Sequence, residues 1–293
     1  MDKKSDRIIF FRKALSFFVL FNAVSVFIQL FFWYLFNNDL DYSLMLGITD
    51  TAQRSIFYGG VYRPTGFYAE PSIYSSITLS IVVLRYALTT KFDSISLLGI
   101  LSSCLTLSTV ALLISFMLIV VVYFRFKISD LIYATLLLFV FVYLSFDALS
   151  MRLDLLLSGV DGSSNVKIEV LNYWFSRNEL FLFGFSLIDK SRSNFGEFIV
   201  GLGDLGIFVN NLMFFGLFVG GIVNMLLLLL FFKGSIRVGL LCIIVTIKLS
   251  SFTFPATIFF ICMVSYINSL GVKSVFSCHN NKRQASIFTK SSC

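Results

Sequence analysis

Charge is scarce in this chain. Only 13% of its 293 residues are Asp, Glu, Lys or Arg, where a soluble domain carries about 25%. With 57% hydrophobic residues and a mean hydropathy of +0.89, water is not the main solvent of the fold. Cysteine patterning is also missing. Cys104, Cys242, Cys262, Cys278 and Cys293 are scattered, with no CxxC and no metal-type spacing, so neither a disulfide framework nor a metal site is read. There is one histidine, His279, close to the C-terminus. Alternating short strands are lacking too, which argues against a membrane β-barrel.

What the chain has is long apolar runs. Clear ones cover 14–36, 72–90, 128–146 and 205–232, each close to the roughly 20 residues needed to cross a hydrocarbon core of about 30 Å. Backbone groups in lipid must bond within their own segment, so each run should be a helix. Two further runs, 94–124 and 238–271, are too long for one ordinary span and short for two. Each has a polar patch at its centre: Thr106, Ser108 and Thr109 in the first, and Lys248, Ser250, Ser251 and Pro255 in the second. Each therefore reads as a hairpin of two short helices. The basic N-terminus leads into the run at 14–36 without a small-residue cleavage site, so that run reads as a retained first span. The fold class expected is all-α, a polytopic helical membrane protein of about eight spans. Residues 1–272 form its membrane domain, with outer loops 37–71 and 147–204. Residues 273–293 form a polar cytoplasmic tail without fixed structure.

Charge placement agrees with eight crossings. The side that holds the N-terminus carries 15 Lys and Arg against 4 Asp, a net of +11, with Arg85 counted among its loop charges. The other side carries 8 basic against 12 acidic residues, a net of −4. That is the positive-inside bias with both termini in the cytoplasm. The overall charge of +7 is thereby accounted for and calls for no nucleic-acid partner.

The segment 63–72, RPTGFYAEPS, is the most informative on the outer side. Pro64 pushes Arg63 out of helical geometry, and Gly66 permits a tight turn. Pro71 suits the first position of the next helix. Glu70 then falls at the N-cap, where Ser, Thr, Asp and Asn are preferred. A Glu and an Arg at a membrane boundary are candidate site residues; the plainer reading is a helix-start carboxylate and a surface cation. Arg152, Lys167, Arg177 and Lys248 are candidate contacts for a phosphate or diphosphate, against a plainer role in interface snorkelling. Residues 171–183, LNYWFSRNELFLF, suit one helix lying in the interface. GLGDLG at 201–206 fits GxGxxG, but a span follows at once and no βαβ unit surrounds it. Asp204 there reads either as the N-cap of the next span or as a further site residue.

RPTGFYAEPS resembles the R-x-x-G-x-x-x-E-P-S segment of bacterial O-antigen and exopolysaccharide polymerases of the Wzy type. Other pieces follow in the same order. LTLSTVALLISF (105–116) is similar to that family's Ser/Thr-marked helix, and LFGFSL (182–187) to its loop glycine element, with Ser186 replacing a second glycine. GDLGIFVNNLMFFGLFVGGI (203–222) is similar to its Asp-bearing segment and Gly-marked span. The resemblance implies a glycosyltransferase of the bacterial inner membrane, working on its outer face. The substrate is undecaprenyl-diphosphate-linked oligosaccharide, and no nucleotide-sugar or redox cofactor is needed. Glu70 and Arg63 are then the catalytic candidates. Arg152, Lys167, Arg177, Asp204 and Lys248 are the substrate-binding ones. Membrane lipid and a chain-length regulator are the candidate partners. An O-antigen ligase is one alternative, but ligases resemble one another in a histidine on the large outer loop, and this chain has none there. A lipid-linked oligosaccharide flippase is another; it should show charges inside spans and internal repeats, which the sequence does not.

Overall fold

The computed structural model describes residues 3–45, 62–123, 150, 154, 162–185, 205–249 and 254–270. Among them there are helices and turns and no strand. In chain order the helices are α1 (Lys3–Phe36), α2 (Tyr42–Met45), α3 (Pro71–Thr89), α4 (Ser94–Leu105), α5 (Thr109–Tyr123), α6 (Gly162–Ser176), α7 (Asn178–Phe183), α8 (Ile207–Phe232), α9 (Ile236–Thr246) and α10 (Pro255–Leu270). By length and composition, α1, α3 and α8 are long and apolar enough to cross a membrane. The expected run at 128–146 and the tail at 273–293 lie outside the described residues, as do Arg152 and Asp204.

α3 is the central helix. It packs against α1, α4, α5, α9 and α10, and 78% of its apolar window is buried, against 39% for α1 and 22% for α8. Its serines tolerate this because Ser75, Ser76 and Ser80 turn their hydroxyls onto carbonyls one turn back, satisfying buried polar atoms inside the helix. The outer helices show the opposite pattern. Phe17, Phe31 and Phe36 on α1 and Phe218, Met225 and Leu229 on α8 are more than half exposed. Apolar surface of that extent is suited to lipid.

Both runs expected as hairpins are divided into short helices, α4 and α5 in the first and α9 and α10 in the second, with 250–253 between the latter outside the described residues. α4 stops at Leu105 and α5 starts at Thr109. Thr106 ends α4 with its hydroxyl on the Ser103 carbonyl, 2.7 Å away, and Leu107 turns left-handed at φ 50°. α9 ends in the same way, with Thr246 Oγ1 donating to the Ile243 carbonyl at 2.7 Å. At 1.5 Å per residue α4 and α9 are only about 18 and 16 Å long, short of the hydrocarbon thickness.

Three expectations need correction. The run 205–232 is not a straight span. Asn211 Nδ2 donates to Asn224 Oδ1 at 2.8 Å, and Asn224 Nδ2 to the Phe208 carbonyl at 2.9 Å. In a straight helix these pairs would stand about 20 and 24 Å apart. The chain therefore reverses at Gly216 (φ 75°, ψ 173°), and residues 207–215 fold back along 217–232. The helix begins at Ile207 behind Gly206 as N-cap. Next, the interfacial helix expected over 171–183 is two helices, α6 and α7, broken at extended Arg177.

Arg85 supplies the third correction, because it is not a loop charge. It lies in α3, 1% exposed, with Nη1 on the Arg12 carbonyl of α1 at 3.3 Å, Nη1 also on Ser16 Oγ, and Nη2 paired with Asp93 Oδ2. Asp93 is the N-cap of α4 and accepts from the Ser96 amide at 3.0 Å. One buried guanidinium thus ties three helices together. Partial burial raises the Asp93 carboxyl, but the Arg85 guanidinium and the Ser96 amide and hydroxyl outweigh it, so its pKa lies below the usual carboxylate value. A depressed folded-state pKa gives stability that is present above the unfolded value of about 3.9 and lost as pH falls through the folded value. We predict that thermal stability of the detergent-solubilised protein falls below about pH 4, and that Asp93→Asn removes this acid dependence. Arg85→Met should cost less than Asp93→Asn at neutral pH. The first leaves a carboxylate that is 44% exposed to water, whereas the second leaves a buried cation without its counter-charge.

Candidate functional site

The segment 62–70 forms a turn clamped at one end of α3. Two successive amides, Thr65 N and Gly66 N, donate to Gln29 Oε1 of α1 at 2.9 and 2.8 Å, and Gln29 Nε2 donates to the Leu40 carbonyl at 2.9 Å. Gly66 is left-handed at φ +59°, and a Cβ there would meet Ser25 Oγ at 2.8 Å and the Tyr74 ring at 3.0 Å. The turn therefore requires glycine for conformation and for space. Tyr68 reaches Asn22 Oδ1 at 3.3 Å, and Phe67 stacks on Phe21 with ring centres 4.9 Å apart. Tyr74 of α3 donates to Ser102 of α4 at 2.8 Å. Just before the turn, Tyr62 stacks on Trp33 at 4.5 Å and donates to Asp39 Oδ1 at 2.9 Å. Burial, with Asp39 alongside, pushes the Tyr62 phenol upward, so it stays protonated.

Arg63 and Glu70 stand at the two ends of this turn, and both are half-buried. Arg63 Nε donates to the Thr106 carbonyl at 3.3 Å, which ties the turn to the tip of the α4–α5 hairpin. Glu70 is the N-cap of α3 in extended geometry (φ −138°, ψ 145°), with Pro71 as first helical residue, as the sequence implies. Its backbone carbonyl receives the Ile73 and Tyr74 amides at 3.1 Å. Its carboxylate does not cap the helix; instead Ser72 Oγ lies 3.3 Å from Oε2. The plainer reading of Glu70, a carboxylate held at the helix start, then acts through the helix dipole and not through a capping bond.

The other candidates lie elsewhere. Lys167 on α6 and Arg177 at the start of α7 lie on the elements that form a second cluster, built on Val170, Trp174, Leu180, Phe185 and Met213. Arg177 is exposed, with its guanidinium 4.5 Å from the centre of the Tyr173 ring. This cluster is joined to α8 by backbone contact. Gly184 and Gly216 both have positive φ, a Cβ on Gly184 would lie 2.3 Å from the Gly216 nitrogen, and Phe185 N donates to the Met213 carbonyl at 2.8 Å. Lys248 is half-buried just beyond α9. Its turn rests on the start of α8, because a Cβ on Gly206 would meet the Ile247 carbonyl oxygen at 2.5 Å. Arg63 and Glu70 thus share one clamped turn, and Lys248 shares a junction with the α8 entry.

The residues that shape the site most directly are ones the sequence reading passed over. Asn22, Ser25 and Gln29 are each no more than 1% exposed. They sit at i, i+3 and i+7 on α1, a single helix face, and that polar stripe inside an apolar run is the signal that could have found them. Among the described residues no cluster of three His, Cys, Asp or Glu is placed to hold a metal ion. No protein-family model matches the chain, and neither a curated protein nor a solved structure is significantly similar to it.

Proposed function

We propose that this protein polymerises undecaprenyl-diphosphate-linked oligosaccharide repeat units at the outer face of the bacterial inner membrane. It would do so as an eight-crossing protein with both termini in the cytoplasm. The observation that carries the reading is the Glu70 carboxylate, positioned at the head of the central helix and not used as its cap. Nearby stands an arginine anchored on the Thr106 carbonyl.

The chemistry follows from these two groups. An acceptor hydroxyl on one lipid-linked unit attacks the anomeric carbon of the growing chain on another. The C–O bond to the diphosphate breaks, and the hydroxyl proton passes to Glu70 acting as general base. The electron pair leaves on undecaprenyl diphosphate, and Arg63 neutralises the charge developing there. Lys248, Arg152, Lys167, Arg177 and Asp204 are proposed contacts to the diphosphate or glycan. Deleting the gene from a strain that makes a repeat-unit polysaccharide tests the reading. A polymerase mutant keeps a single repeat unit on its acceptor. Loss of even that unit would indicate a ligase, and accumulation of lipid-linked units on the cytoplasmic side would indicate a flippase.

A further inference from the structure

We infer that Gln29 of α1 is the positioning residue for the Arg63–Glu70 turn, with one side-chain amide setting where both catalytic candidates stand. The inference rests on the proposed reaction for its functional half and on geometry alone for its structural half. Gln29 is completely buried, 0% exposed, on the face of α1 that packs against the protein. Its Oε1 accepts from two successive amides of the turn, Thr65 N and Gly66 N, while its Nε2 donates to the Leu40 carbonyl. One planar group therefore ties the chain leaving α1 to the chain entering α3, its carbonyl oxygen accepting and its amino group donating. The two successive N–H groups converge on one oxygen, a backbone concavity that favours a partly negative atom. Arg63 lies two residues before this anchor and Glu70 four residues after it, so displacement of the anchor moves both.

Gln29→Glu keeps an oxygen for the two amides and loses the donor to Leu40. Gln29→Leu and Gln29→Met lose both. Hydrogen exchange on the purified full chain in nanodiscs reads the two amides directly, in the peptide covering 62–70. In Gln29→Leu and Gln29→Met we expect Thr65 and Gly66 to exchange faster by about tenfold, the scale of one lost neutral hydrogen bond. In Gln29→Glu we expect protection to be retained. At matched membrane levels, the polysaccharide ladder should shorten in the Leu and Met variants and recover in the Glu variant. Unchanged protection in Gln29→Leu overturns the inference whatever the ladder does. A full-length ladder in a variant that has lost the protection overturns the positioning role. A normal ladder in Glu70→Gln would sink the proposed reaction instead, and leaves the exchange result intact.

Discussion

Glu70→Gln is expected to remove long-chain polymer while the protein stays in the membrane at its usual level. The substitution is nearly isosteric and removes the negative charge and the capacity to take a proton. The carboxylate makes no capping bond to α3, and the Ser72 hydroxyl 3.3 Å away can donate to the amide oxygen as well. The stability change should stay within about 0.5 kcal/mol. The rate should fall by about 10²–10⁴-fold, the usual contribution of general-base catalysis. Arg63→Ala should cost about 10²–10³-fold by removing a donor aimed at the leaving diphosphate. The measurement is the surface-polysaccharide ladder together with the amount of tagged protein in the membrane fraction. Normal ladders from both variants, at normal protein levels, would falsify the site assignment.

The second large effect concerns folding. Gly216→Ala should destabilise the protein by roughly 3 kcal/mol or more, since backbone in this region is essentially restricted to glycine. Gly216 has φ 75° and ψ 173°, and a Cβ there would lie 2.2 Å from the Leu182 carbonyl oxygen. Backbone on both sides of the contact prevents easy relief. Asn224→Leu is milder, losing the clamp across the hairpin but not its turn. Thermal unfolding in detergent measures both, and a distance probe across 208 and 224 reports whether α8 has straightened. A Gly216→Ala protein as stable as wild type, with the two arms still together, would show that the reversal does not depend on this glycine.

Much of the turn was legible because each local rule there has one answer. Pro71 can only start a helix, Gly66 suits a left-handed turn, and Glu70 falls in the remaining slot. The breaks at Thr106 and Thr246 were legible for a similar reason: a polar patch in an apolar run has few places to go. The α8 reversal was not. Residues 207–232 are apolar apart from Asn210, Asn211 and Asn224, and a straight helix, which satisfies its own backbone groups in lipid, is the default reading of such a run. Only Asn211 and Asn224, far apart in sequence, record the choice. Arg85 misled because charge counting assumes that a cation near a span end faces water, and a partner at Asp93 with two α1 oxygens allows burial instead. Gln29 was visible in principle, but an uncharged side chain in a long span does not alter a charge count.

The central helix has a consequence for how the chain is made. α3 has the lowest hydropathy of the three long helices, 1.3 against 2.1 for α1 and 2.5 for α8, and its serines and Arg85 are held inside by neighbours. Alone in a bilayer it would leave that arginine without its partners, four residues from the end of the helix, at a cost below the roughly 2.5–3.5 kcal/mol of a cation at a helix centre. During synthesis α1 leaves the ribosome first, bringing the Arg12 carbonyl and Ser16 that receive Arg85. Asp93 follows only eight residues behind it. The order of emergence therefore places two partners for the buried cation ahead of it and the third directly after. α1 is thus already made when α3 needs its two oxygens.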